Sequence, residues 1–357
     1  ILGDLAGASG EAFVSGVGVD GGVATRSRLR VSRRGTQSEL DVGRLGDGRL
    51  TIQAGGLVDV GGNMRIATGA AAVGEVIVQG GENGFGAELR VGRTITVGGA
   101  GEATLRLGAG GLISADRMTL SPTATLDVTG GRLELGTLDL PAPTTLEAGM
   151  FAIDTINGDV TFGAGAIVDP GDSPGLTTIN GDANFLGSII LFDLAGTAPA
   201  DYDRLQITGE FSGSAEAVVT LRDGFLPQAG DVFRLVEAGL GVGGVLSSMP
   251  VNLPALPSGL AWEFSGADPL AIDLAVVLEG LAGDFNGDGR VDGADYAVWR
   301  GGLGTVYTVS DLDVWRANFG AVHQPAPVAV GVSSVPEPHA AMALLGAVAL
   351  VAARRRA

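Results

Sequence analysis

The nine residues Leu50–Val58 read L-T-I-Q-A-G-G-L-V, and the nine residues Leu105–Ile113 read L-R-L-G-A-G-G-L-I. Related runs begin at Val76 (V-I-V-Q-G-G) and at Leu126 (L-D-V-T-G-G). The four starts are therefore 26, 29 and 21 residues apart. Repeats at such spacings are typical of stacked units, each too small to bury its apolar face alone.

Each repeat alternates apolar and polar residues. Leu50, Ile52 and Ala54 alternate with Thr51 and Gln53, which is the period of a half-buried strand. The glycine pair that follows permits positive φ at a corner. Stacking such units gives a continuous aliphatic column, so we expect an all-β body and, over residues 1–140, a right-handed parallel β-solenoid. A meander of hairpins in a β-sandwich is the alternative interpretation.

The repeats continue beyond Pro141-Ala142-Pro143, which we predict to be the boundary between two regions of the body. The sequence T-I-N-G-D at Thr155–Asp159 recurs at Thr178–Asp182, an offset of 23 residues. We expect residues 141–278 to hold a further coil and either a β cap or a small sandwich. The strands predicted there run through Val218–Leu221, Val232–Val236 and Ala271–Leu278.

Three segments of this second region form a pattern of strands and turns. They are Asp169–Gly175 (D-P-G-D-S-P-G), Tyr202–Gly209 (Y-D-R-L-Q-I-T-G) and Pro227–Phe233 (P-Q-A-G-D-V-F). The first is a dense turn cluster. Together the segments resemble the closing region of autotransporter-type β-solenoid surface proteins. The resemblance implies a body that serves spacing, adhesion or matrix building.

The segment Asp284–Asp295 reads D-F-N-G-D-G-R-V-D-G-A-D and has the spacing of a calcium loop. Oxygen-bearing side chains occupy loop positions 1, 3, 5, 9 and 12, and Gly289 occupies position 6. We expect this loop to be ordered only when Ca²⁺ is bound, because its four carboxylates otherwise repel one another. An acidic turn pair without an ion is the alternative. The predicted ligands are the side chains of Asp284, Asn286, Asp288, Asp292 and Asp295 and the backbone carbonyl of Arg290.

The segment Gly283–Gly320 resembles a type I dockerin, an EF-hand-like module in which a calcium loop and an exiting helix are followed by a similar second half. Val314-Trp315-Arg316 repeats Val298-Trp299-Arg300, and Asp311 falls at the position equivalent to the last loop residue. No second D-x-N-x-D-G run precedes Asp311, so one metal site is expected. The resemblance implies a small α-helical module over residues 279–322 that binds a cohesin-like domain.

The C-terminus combines Val335-Pro336-Glu337-Pro338, an apolar run over 340–353 and Arg354-Arg355-Arg356. As a helix the run is about 21 Å long, short of the roughly 30 Å hydrocarbon core of a bilayer. The order resembles a PEP-CTERM sorting tail, which implies export and processing by an exosortase-type protease. We therefore expect a Pro-rich linker over residues 323–335 and a C-terminal hydrophobic sorting helix over 336–357 that transiently anchors the chain in the membrane. An amphiphilic helix docked on the body is the alternative.

Arg26, Arg28 and Arg30 alternate along a predicted strand, which places three guanidinium groups on one face. This stripe is either a patch that binds an anionic polysaccharide or another partner, or a solvated strand face or end cap on an acidic protein.

The composition restricts the chemistry that the chain can perform. There is no cysteine, and the net charge of -18 argues against nucleic acid as a partner. The two histidines, His323 and His339, fall in the linker and the tail, so neither a Ser-His-Asp triad nor a histidine-ligated zinc site is expected in the body. Carboxylate pairs such as Asp154 with Asp159 and Glu134 with Asp139 sit near predicted turns. We expect no catalytic residue.

The sequence thus indicates an exported protein of the cell surface or extracellular matrix, with a structural or adhesive β-repeat body and a calcium-dependent dockerin-like module. Its expected partners are a cohesin-like domain, an exosortase-type protease and a polysaccharide. The alternative is a component of a polysaccharide-degrading complex, including a solenoid hydrolase or lyase that carries a dockerin. The chain opens on Ile1 without a leader, so its true start is expected to lie upstream.

Overall fold

The computed structural model describes residues 1–20, 23–31, 38–82, 84–171, 174–247, 252–257, 259–265 and 267–322. The predicted linker and sorting tail lie outside the described residues. The two helices of the described part are α1 Gly293–Gly302 and α2 Val309–Asn318. Its 25 strands are β1 Ser9–Ser15, β2 Val17–Asp20, β3 Val23–Arg26, β4 Arg28–Val31, β5 Glu39–Val42, β6 Asp47–Gln53, β7 Leu57–Val60, β8 Asn63–Ile66, β9 Val73–Gln79, β10 Gly81–Glu82, β11 Phe85–Val97, β12 Glu102–Leu107, β13 Gly111–Leu120, β14 Ala124–Asp139, β15 Thr144–Asn157, β16 Val160–Val168, β17 Leu176–Asn180, β18 Ala183–Leu194, β19 Arg204–Ile207, β20 Glu210–Leu221, β21 Val232–Ala238, β22 Gly241–Val242, β23 Val245–Ser247, β24 Leu260–Ser265 and β25 Ala271–Leu278.

Parallel pairing between successive turns of the chain builds the body. Each turn places strands on three faces, which we number in chain order. Face 1 contains β1, β6, β9, β12 and the first part of β14. Face 2 begins with β4, β7 and the first parts of β11 and β13. Face 3 begins with β5, β8 and the last parts of β11 and β13. The body is therefore solenoid-like, and the alternative of a hairpin meander is wrong.

The predicted repeats lie opposite one another in the stack. Leu50 is the register partner of Val76, Val76 of Leu105, and Leu105 of Leu126. The recurring T-I-N-G-D sequence also marks one turn, because Thr155 pairs in register with Thr178. The repeat spacing read from the sequence is thus the length of one turn, with equivalent residues stacked along the axis.

Inward-facing apolar residues form the core as columns that run along the stack. Stacking places each side chain against the equivalent residues of the turns before and after, so one buried aliphatic side chain contributes about 1.5–3 kcal/mol. The column of face 2 consists of Leu29, Val58, Leu89, Ile113, Leu133, Phe151, Val168, Ile190 and Ala217. The column of face 3 consists of Leu40, Met64, Ile95, Met118, Leu138, Ile156, Ile179, Ile207 and Ala238.

Glycines form the corners between face 1 and face 2, as the sequence predicts. Gly55 has φ +78° and Gly110 has φ +74°, both in the left-handed region that favours glycine. At Gly56 a Cβ atom would lie 2.2 Å from the backbone oxygen of Val14 in the preceding turn. These corners consequently need glycine both for conformation and for the close approach of neighbouring turns.

The stack continues across Pro141–Pro143, where β14 pairs in parallel with β15, and parallel pairing continues through β21, β22 and β23. Its later turns have an aromatic core. The ring centroid of Phe185 lies 5.1 Å from that of Phe162 and 4.8 Å from that of Phe211. Strand β25 then pairs antiparallel with β21, and β24 pairs antiparallel with β25. This hairpin covers an edge of β21, as expected of a β cap.

Candidate functional site

The predicted calcium loop precedes α1 and is organised by two of its carboxylates. The Oδ1 atom of Asp284 accepts hydrogen bonds from the backbone N–H of Gly287 at 2.8 Å and of Asp288 at 3.2 Å. Its Oδ2 atom accepts one from Gly289 N–H at 2.8 Å. Gly289 has φ +83°, as expected of the glycine at position 6 of such a loop. Asp284 thereby fixes the first half of the turn.

Asp295 closes the loop from the first turn of α1. Its carboxylate is fully buried and accepts hydrogen bonds from the backbone N–H groups of Phe285, Asn286 and Asp292. Desolvation raises the pKa of Asp295, but these N–H groups and the nearby Asp284 side chain outweigh it and hold that pKa below its ordinary value. Asp295 is therefore ionised at neutral pH, beside a second carboxylate.

The other predicted ligands make contacts of their own. The Asn286 amide donates to Asp288 Oδ2 at 2.9 Å, and Asp288 Oδ1 accepts from Arg290 N–H at 2.9 Å. Asp292 is the N-cap of α1 and accepts from Ala294 N–H at 2.7 Å. Across the part of the chain that the structure describes, no three acidic or histidine side chains converge as metal ligands.

Some of the predicted oxygen ligands, but not all of them, are therefore placed to bind a cation. The first and last predicted ligands, Asp284 and Asp295, both accept hydrogen bonds from backbone N–H groups of the loop, and the Asp284 side chain helps to lower the pKa of Asp295. Two adjacent carboxylates, one of them fully buried, favour a nearby positive charge. The remaining side chains are instead bonded to the loop itself. The calcium ligands thus stay a prediction.

The second half of the module begins its helix in the same way as the first half. Asp311 occupies the third position of α2, as Asp295 does in α1, and accepts a hydrogen bond from Thr308 N–H at 2.6 Å. This bond, together with one from the Thr308 hydroxyl, lowers the pKa of Asp311. Trp299 is buried between the two halves of the module, and Trp315 is half-buried.

The arginine stripe is engaged within the protein. Arg26 bonds Glu88 at 2.8 Å and also donates to three backbone carbonyls of the neighbouring turns, whereas Arg28 and Arg30 both pair with Asp59. Arg26 ends β3 and Arg28 begins β4, so the three do not share one strand. The alternative in which these arginines are a strand face or end cap is the one that the contacts favour.

The acidic pairs considered for catalysis contact other side chains or the backbone. Glu134 pairs with Arg132, and Asp139 pairs with Arg117. Asp159 accepts a hydrogen bond from Asp182 N–H at 2.9 Å. Asp139 and Asp159 thereby link neighbouring turns, whereas Glu134 pairs within its own strand.

Sequence reasoning did not anticipate a side-chain ladder on face 3. The Asn157 amide donates to Asp139 Oδ1 and the Asn180 amide donates to Asn157 Oδ1, both at 2.8 Å. Thr119 donates to Asp139 Oδ2 at 3.0 Å. The recurrence of T-I-N at an offset of 23 residues could have predicted this ladder, because equivalent residues in adjacent turns stack and the two Asn side chains then become neighbours.

The three segments that carry the autotransporter resemblance lie together. Gly175 N–H donates to Asp203 Oδ1 at 2.5 Å, and Asp203 is fully buried. The neighbouring Tyr202 accepts a hydrogen bond from Arg234 N–H at 3.3 Å and packs edge-on against Phe233. These strand and turn segments therefore form one continuous region of the stack. The chain resembles part of an autotransporter adhesin.

That adhesin is the BmaC autotransporter of Brucella suis biovar 1 (strain 1330), which is 28% identical over 266 residues. The match covers 66% of this chain and 8% of the adhesin, so the chain spans a small part of the length of the protein that it matches. No known family profile matches the chain. Likeness to the adhesin agrees with the β-rich body. In the described portion, no helix has the length and apolar character needed to cross a bilayer.

Proposed function

We propose that this chain is a surface-exposed structural or adhesive segment whose β-solenoid body acts as a rigid spacer. The observation that carries the proposal is the stack of register-matched turns in a chain that resembles an autotransporter adhesin. Nine stacked strands on face 3, about 4.8 Å apart, give a column roughly 40 Å long. We infer a right-handed winding, because parallel strands connect that way in nearly all sheets.

The experiment is surface display of the full chain in its own cells. Antibody or protease added to intact cells reaches the body if the chain is exposed, and a cytosolic marker protein in the same cells stays protected. Protection of the body to the same degree as the marker would overturn the surface role. Cells that lack the chain then serve to test whether attachment or matrix retention falls.

We propose that the helical module binds Ca²⁺ and that the ion links the loop to α1. Asp284 and Asp295 are the central ligands in this proposal, Asn286, Asp288 and Asp292 complete the side-chain set, and Arg290 adds its carbonyl. When bound, the ion would offset the repulsion among the carboxylates. A module ordered in this way would present its helices to a cohesin-like domain.

Calcium binding is tested by calorimetry on the full chain after chelation. We expect binding in the range of extracellular calcium modules, with a dissociation constant of about 10⁻⁴–10⁻³ M, and its loss in Asp284→Ala. Asp313→Ala is the matched control, because Asp313 is 76% exposed and lies outside the loop. No heat of binding in the parent chain, or an equal loss in the control, would overturn the calcium proposal.

We further propose that residues 335–357 direct export and are removed by an exosortase-type protease. The order of Pro-Glu-Pro, apolar run and arginine cluster supports this proposal. Deleting 335–357 is expected to move the body out of the surface fraction. Unchanged fractionation of the truncated chain would contradict it.

A further inference from the structure

In the turns from β11 to β19, most outward side chains of face 3 are uncharged, whereas the earlier strands β5 and β8 of the same face carry Glu39, Asp41 and Arg65. Between β11 and β19 one outward column contains, in register, Thr94, Arg117, Thr137, Thr155, Thr178 and Gln206. The adjacent column contains Thr96, Thr119, Asp139, Asn157 and Asn180. We call these two columns the polar strip. Nine of its eleven side chains are uncharged hydroxyls or amides.

The two charged members of the polar strip neutralise each other. Arg117 Nε lies 2.6 Å from Asp139 Oδ2, and Arg117 Nη2 lies 2.8 Å from Asp139 Oδ1. The strip therefore has no net charge, although the whole chain carries -18. Face 1 shows the contrast, because its outward side chains alternate in charge through Arg49, Glu75 and Arg106.

The two columns of the strip differ in the hydrogen bonds that their side chains make. Asp139, Asn157 and Asn180 are joined by side-chain hydrogen bonds along the axis, which fixes the orientation of both amides. Within the described residues, the partly exposed hydroxyls of Thr155 and Thr178 make no hydrogen bond to protein. The strip thus presents oriented amides beside a row of hydroxyls, repeated about every 4.8 Å over roughly 24 Å.

We propose that the polar strip binds a linear, neutral polysaccharide that lies along the axis of the stack. A polyanion would need cations beyond the paired Arg117, and the net charge of the chain would repel it. A polycation would need unpaired carboxylates. A neutral chain of hydroxyl-bearing units matches both the charge and the hydrogen-bonding character of the strip. Each contact is weak in water, so retention depends on many contacts made together.

This inference rests on the proposed surface role and names the partner of the solenoid body. Native affinity electrophoresis of the full chain tests it, with soluble glucan, xylan and galactomannan as neutral probes and polygalacturonate as the anionic probe. We expect retardation by at least one neutral polysaccharide. In the double variant T155V/T178V we expect about tenfold weaker retardation, because two hydroxyls in adjacent turns are lost while the β-branched shape is kept.

The matched control is T104V/T125V. Thr104 and Thr125 are also register partners in adjacent turns, but their strands belong to face 1. Retardation that is unchanged in the control supports the polar strip as the binding surface. Equal loss in both variants, no retardation by any neutral probe, or stronger retardation by polygalacturonate would overturn it. Melting temperature and surface exposure, measured on the same variants, separate failure of this inference from loss of the fold or of the proposed surface role.

Discussion

Trp299 and Trp315 bind each other's helices in a reciprocal way. The indole N–H of Trp299 in α1 donates to the backbone carbonyl of Thr308, the N-cap of α2, at 2.8 Å. The indole N–H of Trp315 in α2 donates to the carbonyl of Asp292, the N-cap of α1, also at 2.8 Å. The two halves of the module are therefore interlocked by equivalent residues, although only the first half has the acidic loop.

Replacing one of these indoles should weaken the module and leave the body unchanged. Trp299→Phe removes one hydrogen bond between the helices, so we expect a loss of about 1 kcal/mol in the free energy of unfolding of the module. Urea unfolding of the full chain, followed by far-ultraviolet circular dichroism in the α-helical band, measures this free energy. Trp262→Phe is the control, because that indole donates to Pro254 in the body. An equal shift of the helical transition in both variants would argue against the interlock.

The stacked phenylalanines should be among the most sensitive positions of the body. Phe185→Ala removes a fully buried ring between Phe162 and Phe211, so we expect a loss of about 3–5 kcal/mol in the free energy of unfolding. Chemical denaturation of the full chain measures this loss. The same substitution at Phe13, which is 61% exposed, should change stability by about 0.5 kcal/mol or less. Similar effects at the two sites would mean that the rings do not form a packed column.

Arg26 should stabilise the early turns through the shape of its guanidinium group. It contacts Glu88 and the carbonyls of Gly55, Gly56 and Gly86. The single ammonium group of lysine cannot donate to all of these acceptors, because they match the planar arrangement of the guanidinium N–H groups. We expect Arg26→Lys to reduce the free energy of unfolding by about 1.5–3 kcal/mol. Arg30→Lys is the control, because Arg30 is 66% exposed. Equal stability of the two variants would show that charge alone suffices at position 26.

The face-3 ladder should make stability depend on pH through Asp139. Desolvation raises the pKa of Asp139, but hydrogen bonds from Arg117, Asn157 and Thr119 outweigh it and lower that pKa below its ordinary value. A folded-state pKa below the unfolded one means that the carboxylate stabilises the fold above the unfolded pKa of about 3.9. The contribution is lost as the pH falls through the folded pKa.

Asp139→Asn removes this titration. We expect the difference in melting temperature between the parent chain and Asp139→Asn to be largest near neutral pH and to shrink below about pH 4. Asp127→Asn controls for a general effect of charge, because Asp127 lies on face 1 and pairs with Arg106. A difference that stays constant from neutral to acidic pH would contradict the assignment to Asp139.

Much of the body could be predicted from the sequence because its repeats are local patterns. The alternation around Leu50 and the glycines after it fix the strand, its inward face and its corner. In a stacked fold, equal positions in successive repeats become neighbours, and the repeat starts Leu50, Val76, Leu105 and Leu126 are accordingly register partners. For the strands around Val232–Val236 and Ala271–Leu278 the sequence does not distinguish a cap from a small sandwich, because the pairing of β25 with β21 depends on residues far apart in the chain.

The turn length, the aliphatic columns and the candidate calcium loop follow from the amino-acid sequence, because each depends on residue type at a fixed spacing along the chain. Which polar groups contact one another depends on how the turns and helices pack. The tertiary structure places Arg26 against Glu88, joins Asp139 to Asn157 and Asn180, and crosses Trp299 and Trp315 between the helices. These contacts join residues that come together only when separate turns or helices pack, and local periodicity carries no information about such side-chain partners.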